Sequence, residues 1–143
     1  MKTSLNGIQF IEQFESFQPK AYHCPTGILT IGYGHTGPDV HEDQVIDQDT
    51  ATVLMMDDLT KVEKCINDHV IVPLSQNQFD ALVSLTFNIG CGAFTTSTLL
   101  KIINDGRPDQ AALQFVRWDH IGSLVSQGLL RRRTAEQALY MKQ

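Results

Sequence analysis

A chain of 143 residues with 42% hydrophobic and 19% charged residues suits one compact globular unit, burying roughly two-thirds of the surface its unfolded form exposes. A formal net charge of −5 offers phosphate backbones no basic face, which argues against nucleic acid as a partner, and no apolar run approaches the ~18 residues of a membrane span. Cys24, Cys65 and Cys91 are an odd number at unrelated spacings with no CxxC pair. Three reduced thiols are therefore expected, neither a disulfide framework nor a zinc site, with Cys65 and Cys91 packing as small hydrophobes.

The first residues lack the uninterrupted apolar stretch and small-residue cleavage site of a secretory signal, so synthesis and first residence in a cytoplasm are expected. A first helix should start at Ser4 or Asn6, either of which can cap it. Ile8, Ile11, Phe14 and Phe17 give it an apolar face, and Pro19 should stop it. Residues 20–34 read as a hairpin or small sheet. Tyr22, Ile28, Ile31 and Tyr33 suit strands, and Pro25-Thr26-Gly27 supplies the turn.

A long helix over 47–67 follows, with Ala51, Leu54, Met55, Leu59, Val62 and Ile66 as its buried stripe. At 1.5 Å per residue it spans roughly 30 Å, enough for a strut between two lobes. Ser75 and Gln78 form a capping-box pattern that opens a helix ending at Gly90. Thr95 or Thr96 should cap another that ends at Asn104 to Gly106. Pro108 suits the first position of the next helix, and a last helix should fill 131–142. The sum is an α+β, single-domain chain over 1–143. Its small N-terminal lobe covers about 1–46 and its mainly helical lobe about 68–143, and a cleft between them is a natural ligand site.

The chemistry concentrates between Glu15 and His35. Glu15 sits at the end of the first helix between Phe14 and Phe17. Partial desolvation and the negative helix end both disfavour a carboxylate there. A carboxyl that keeps its proton is what glycosidic cleavage wants for the leaving oxygen. Eight residues separate Glu15 from Cys24, and five more separate Cys24 from Thr30.

That spacing resembles the catalytic signature of the phage lysozyme (endolysin) family, glycoside hydrolase family 24. So do Phe79 to Ser84 with Phe87 to Gly90, Phe94 to Leu100, Arg117-Trp118, and Gly128-Leu129 with Arg132, Arg133 and Glu136. The resemblance covers nearly the whole chain in order. It implies a lysozyme-like fold and cleavage of the β-1,4 bond between N-acetylmuramic acid and N-acetylglucosamine in peptidoglycan. Glu15 falls on the general acid and Thr30 on the hydroxyl that positions the attacking water, in an inverting geometry. Cys24 stands where the family usually has aspartate. A thiol titrating near pH ~8.5 is mostly neutral at pH 7. Two accounts stay open: the sulfur acts as thiolate or nucleophile, or Glu15 with a Thr30-held water supplies most of the rate.

The same resemblance points to Gly34, Thr36, Phe87 and Ser97 as saccharide-binding positions, with Gln114 a looser match. It places Tyr22 and His35 beside the site, and Arg132 as a guanidinium that reaches Glu15. Asp58 interrupts the apolar stripe of the long helix and wants a partner. Pairing with His35 is expected, as a structural tie between sheet and strut. Arg131, Arg132 and Arg133 otherwise read as a solvated helix face. No cofactor is expected. His23, His41, His69 and His120 lack metal-ligand spacing, so no metal site is expected either.

The implied protein is a bacteriolytic monomer made in a phage host's cytoplasm. It would act on wall glycan after a separate holin permeabilises the membrane. The alternatives are lytic transglycosylase chemistry and a weak wall-binding relic in which Cys24 has replaced the usual aspartate.

Overall fold

The computed structural model describes residues 1–143. Helix α1 covers Leu5–Phe14 and is capped by Ser4, whose hydroxyl accepts the Gly7 N–H at 3.0 Å. Ser4 donates from its own N–H and hydroxyl to the buried Asp80 of α3 (Gln76–Ile89). Gly7 permits this approach, because a Cβ there would lie 2.6 Å from Asp80 Cγ. The helix ends before Pro19: Glu15 already has extended backbone at φ −96° and ψ 120°. Pro19 instead lies in β1 (Gln18–His23), the edge strand, where a missing N–H is tolerated.

Strands β1, β2 (Leu29–Gly32) and β3 (His35–Thr36) form an antiparallel sheet in that order. Tyr22 faces Thr30, and Ile31 faces His35. The expected turn joins β1 to β2: the Gly27 N–H donates to Cys24 O at 2.7 Å, and Gly27 takes φ 84°, which suits glycine. Helix α2 covers Gln48–His69, about 33 Å at 1.5 Å per residue. It buries Ala51, Met55, Leu59 and Ile66 along the expected stripe.

Helix α3 is the centre of the core. Every residue from Phe79 to Thr86 is buried, and the Ser75–Gln78 capping box opens it as its sequence indicates. A short α4 (Cys91–Thr95) follows, so Thr95 and Thr96 do not cap the next helix. Ser97 caps α5 (Thr98–Asn104) by accepting the Leu100 N–H. Pro108 opens α6 (Pro108–Ala112) as expected. A 3-10 turn over Phe115–Trp118 and a hairpin of β4 (His120–Ile121) and β5 (Leu124–Val125) come next. Strands of two residues carry no readable periodicity, and the sequence reading missed them. Helix α7 covers Gln127–Met141, starting four residues early because Ser126 caps it.

The thiol expectation is corrected. Cys65 and Cys91 form a disulfide, with their Cα atoms 6.1 Å apart across a separation of 26 residues. Count and spacing are blind to the fold that brings the end of α2 to the start of α4. Only Cys24 remains free.

Candidate active site

Glu15 is reached from the far end of the chain. Arg132, on α7, donates from Nη1 to Glu15 Oε1 at 2.8 Å, while Glu15 Oε2 bonds no protein group. The Arg132 side chain is 6% exposed and the Glu15 side chain 24%, so a fixed cation meets a carboxyl open on one side. The guanidinium lies 5.6 Å from the centroid of the Phe14 ring, which adds a cation–π contact. The contact expected from the resemblance is therefore present. It also supplies a positive charge that no local sequence feature discloses.

The expectation of a solvated arginine face holds only for Arg131. Arg132 and Arg133 are buried, and both pair with Glu136, which is 0% exposed. Arg132 Nε donates to Glu136 Oε2 at 3.2 Å, and Arg133 Nη1 donates to Oε1. Ser84 gives its hydroxyl to Glu136 Oε2 at 2.5 Å and its carbonyl to Arg132 Nη2 at 3.1 Å. Arg133 is held further by Trp118 O at 3.0 Å and by Asn88 Oδ1. Burial pushes the Arg133 guanidinium below the usual arginine range, and Glu136 pulls it back. Glu136 and Ser84 had no role in the sequence reading. The signal was available in the spacing, since i,i+3 and i,i+4 pairs meet on one helix face.

Cys24 closes the sheet's first turn. Its Sγ lies 2.9 Å from Thr26 Oγ1. The thiol is drawn down to about 7, chiefly by the Thr26 hydroxyl, then by the Thr26 N–H, with a smaller pull from the Ile28 N–H. The mostly neutral thiol expected from sequence is therefore replaced by one that is substantially ionised near neutrality. Thr30, on β2, is buried and donates its hydroxyl to Ile28 O at 3.0 Å. That commits its proton and leaves its lone pairs free to accept. His23 beside Cys24 is raised by Gly27 O and by Glu42, which it meets at 2.5 Å.

His35 pairs with Asp58 as expected: Nδ1 lies 2.8 Å from Oδ2. A partner absent from the sequence reading, Asp39, meets Nε2 at 2.9 Å. Burial alone would lower the His35 imidazole, but the two aspartates outweigh it and the net direction is up. Tyr22 is exposed on β1 opposite Thr30.

The saccharide-binding expectations fare unevenly. Gly34 and Thr36 are exposed at the sheet's end. Gly34 has φ 84°, and a Cβ there would meet nothing within 4 Å. Its glycine thus answers to backbone conformation, with open space beside it. Phe87 is half-buried and packs on the core. Ser97 is engaged as the α5 cap, donating to Phe94 O at 2.6 Å. Gln114 lines a recess of about 170 Å³ with Thr98, Arg117 and Trp118. Larger hollows, of 350 Å³ against Lys2 and Met56 and of 480 Å³ beside Tyr140, lie on residues other than Glu15, Cys24 and Thr30. No group of three or more His, Cys, Asp or Glu side chains is arranged to hold a metal ion.

Comparison with known proteins bears on the whole chain. A family model described as "Phage lysozyme" matches residues 12–136. The endolysin of Bacillus phage PZA is 46% identical over 142 residues, covering 98% of this chain and 55% of that protein, so the chain spans about half its length. The endolysin of Salmonella phage P22 is 41% identical over 145 residues, covering 99% of each. Among solved structures, the muramidase domain of SpmX from Asticaccaulis excentricus superposes with a TM-score of 0.94 at 37% identity, covering 99% of both chains.

Proposed function

The chain belongs to the phage lysozyme family, and from that premise we propose that it is an endolysin with muramidase activity. The substrate is peptidoglycan glycan, cut by hydrolysis at the β-1,4 bond from N-acetylmuramic acid to N-acetylglucosamine. The observation that carries this reading is the Arg132–Glu15 contact, which holds one carboxyl oxygen and leaves the other open.

Glu15 is the acid. In its protonated form Oε1 still accepts from Arg132, so the proton sits on Oε2 and passes to the glycosidic oxygen as the C1–O bond breaks. A water on the opposite face of the ring attacks C1. Thr30 accepts a hydrogen bond from that water, since its own proton is committed to Ile28 O. The proton released by the water goes to the Cys24 thiolate, and exchange with solvent resets both groups. Cys24 thus acts as the general base in place of the family's aspartate.

Gly34, Thr36, Phe87 and Ser97 belong to the wall of the saccharide cleft in this reading, between a sheet lobe over 1–46 and a helical lobe over 68–143. Tyr22, His35 and Asp58 hold the sheet side of that cleft. The enzyme acts as a monomer, made in the host cytoplasm and released to the wall through a pore formed by a separate holin. No helix is long and apolar enough to cross a membrane. Cytoplasmic thiols are kept reduced, so the Cys65–Cys91 bridge closes after release.

Digestion of purified peptidoglycan followed by mass spectrometry tests the reaction. Fragments ending in borohydride-reducible N-acetylmuramic acid are expected. Ends carrying 1,6-anhydromuramic acid would assign the chemistry to a transglycosylase, and reducible N-acetylglucosamine ends would assign the wrong bond.

A further inference from the structure

The turn that carries Cys24 is built to receive a negative charge. Cys24 occupies the first position, Pro25 the second, Thr26 the third and Gly27 the fourth, closed by the 2.7 Å bond from the Gly27 N–H to Cys24 O. Short acceptor side chains at the first position of such turns bond the backbone two residues on. Here the sulfur takes that place. The Thr26 hydroxyl lies beside it at 2.9 Å and has no other partner. A neutral thiol can donate to that oxygen, but a thiolate can only accept, so ionisation turns the hydroxyl into a donor aimed at sulfur.

The titratable groups near the sulfur do not compete for this contact. His23, next to it on β1, has Nδ1 at 3.2 Å from Gly27 O and Nε2 at 2.5 Å from Glu42 Oε1, so both ring nitrogens face oxygen. Thr30, from β2, gives its proton to Ile28 O. Thr26 is exposed and contributes nothing to the core.

We propose that Thr26 is a positioning residue for the reaction, whose hydroxyl donates to Cys24 Sγ and holds the sulfur as a thiolate oriented for use as the second catalytic group. The proposal rests on the reading of Cys24 as that group. It assigns a purpose to a side chain that the Glu15–Cys24–Thr30 pattern skips.

Cys24 is the only free thiol, so the ultraviolet absorbance of the thiolate reports it alone. The parent should titrate near pH 7. Thr26→Ser, which keeps the hydroxyl, should overlay it. Thr26→Val, of similar shape without the hydroxyl, should move the midpoint up by about one pH unit towards the free-thiol value. The low-pH limb of wall clearing should move by the same amount, with the rate recovering at alkaline pH.

In a Cys24→Asp background Thr26→Val should leave clearing near neutrality unchanged, because a carboxylate is ionised there without help. A Thr26→Val titration that overlays the parent overturns the proposal. So does a shifted titration that the clearing profile fails to follow. Failure of the parent to digest wall at any pH would overturn the functional reading by itself, while the titration would still report the Thr26 contact.

Discussion

Glu15 and Cys24 stand nine residues apart in the chain, yet Glu15 is held by a contact spanning 117 residues and Cys24 by one spanning two. The carboxyl leans on Arg132, which leans on Glu136 and Ser84, all buried and mutually bonded. The thiol leans on an exposed turn of four residues. The position of the Glu15 carboxyl is therefore a property of the whole fold, and the charge on Cys24 a property of a local loop. Damage to the buried network should remove stability and activity together. Damage to the turn should change the pH dependence and leave the fold intact.

Glu136→Leu should test the first half hardest. It leaves Arg132 and Arg133 buried without their shared carboxylate, a loss of about 3–5 kcal/mol, readable as a lowered denaturant midpoint together with loss of clearing. Cys24→Ala should cost under ~0.5 kcal/mol, as surface changes do. Equal losses in the two variants would dissolve the distinction between the regions.

Removing the disulfide should come next. A closed loop of this length is worth about 3.5 kcal/mol in the chain-entropy account, roughly 12 °C in Tm for a chain of this size. Cys65→Ser with Cys91→Ser should therefore melt earlier, while the Cys24 titration stays where it was.

Asp58→Asn should cost about 1–2 kcal/mol, and its pH dependence has a defined sign. His35 is raised above 6.5 in the folded state. Its contribution is complete below 6.5 and is lost as pH rises through the folded value. Asp39 is lowered from 3.8 and contributes above that value, losing it as pH falls further. The Asp58→Asn deficit should thus narrow as pH rises above 6.5 through the folded His35 value, as read by urea midpoints across pH. No change in stability or in its pH profile would refute a structural role for this pair. The smallest effect belongs to Thr26→Ser, with stability and clearing both within error of the parent.

Sequence legibility divides along the same line. The first turn, the α3 capping box and the α2 stripe were readable because each is set within a few residues: Pro25 and Gly27 shape the turn, and Ser75 with Gln78 cap the helix. The early end of α1 was not readable, because Phe17 continues its apolar spacing although the chain turns extended at Glu15. The Cys65–Cys91 bridge and the burial of Arg132 and Arg133 depend on packing that no local pattern encodes. The lowered Cys24 thiol is an intermediate case. Its cause, Thr26, lies two residues away, but a hydroxyl beside a thiol gives no sign of its direction until the turn is built.

The central claim is that Glu15 donates the proton from the oxygen that Arg132 leaves free. Clearing of outer-membrane-permeabilised bacteria by Glu15→Gln, with folding checked by circular dichroism, tests it most directly. A rate reduced by about 10²–10⁴-fold, the usual worth of a general acid, with the fold retained, is the result this account predicts. Clearing by Glu15→Gln at the parent's rate would contradict it.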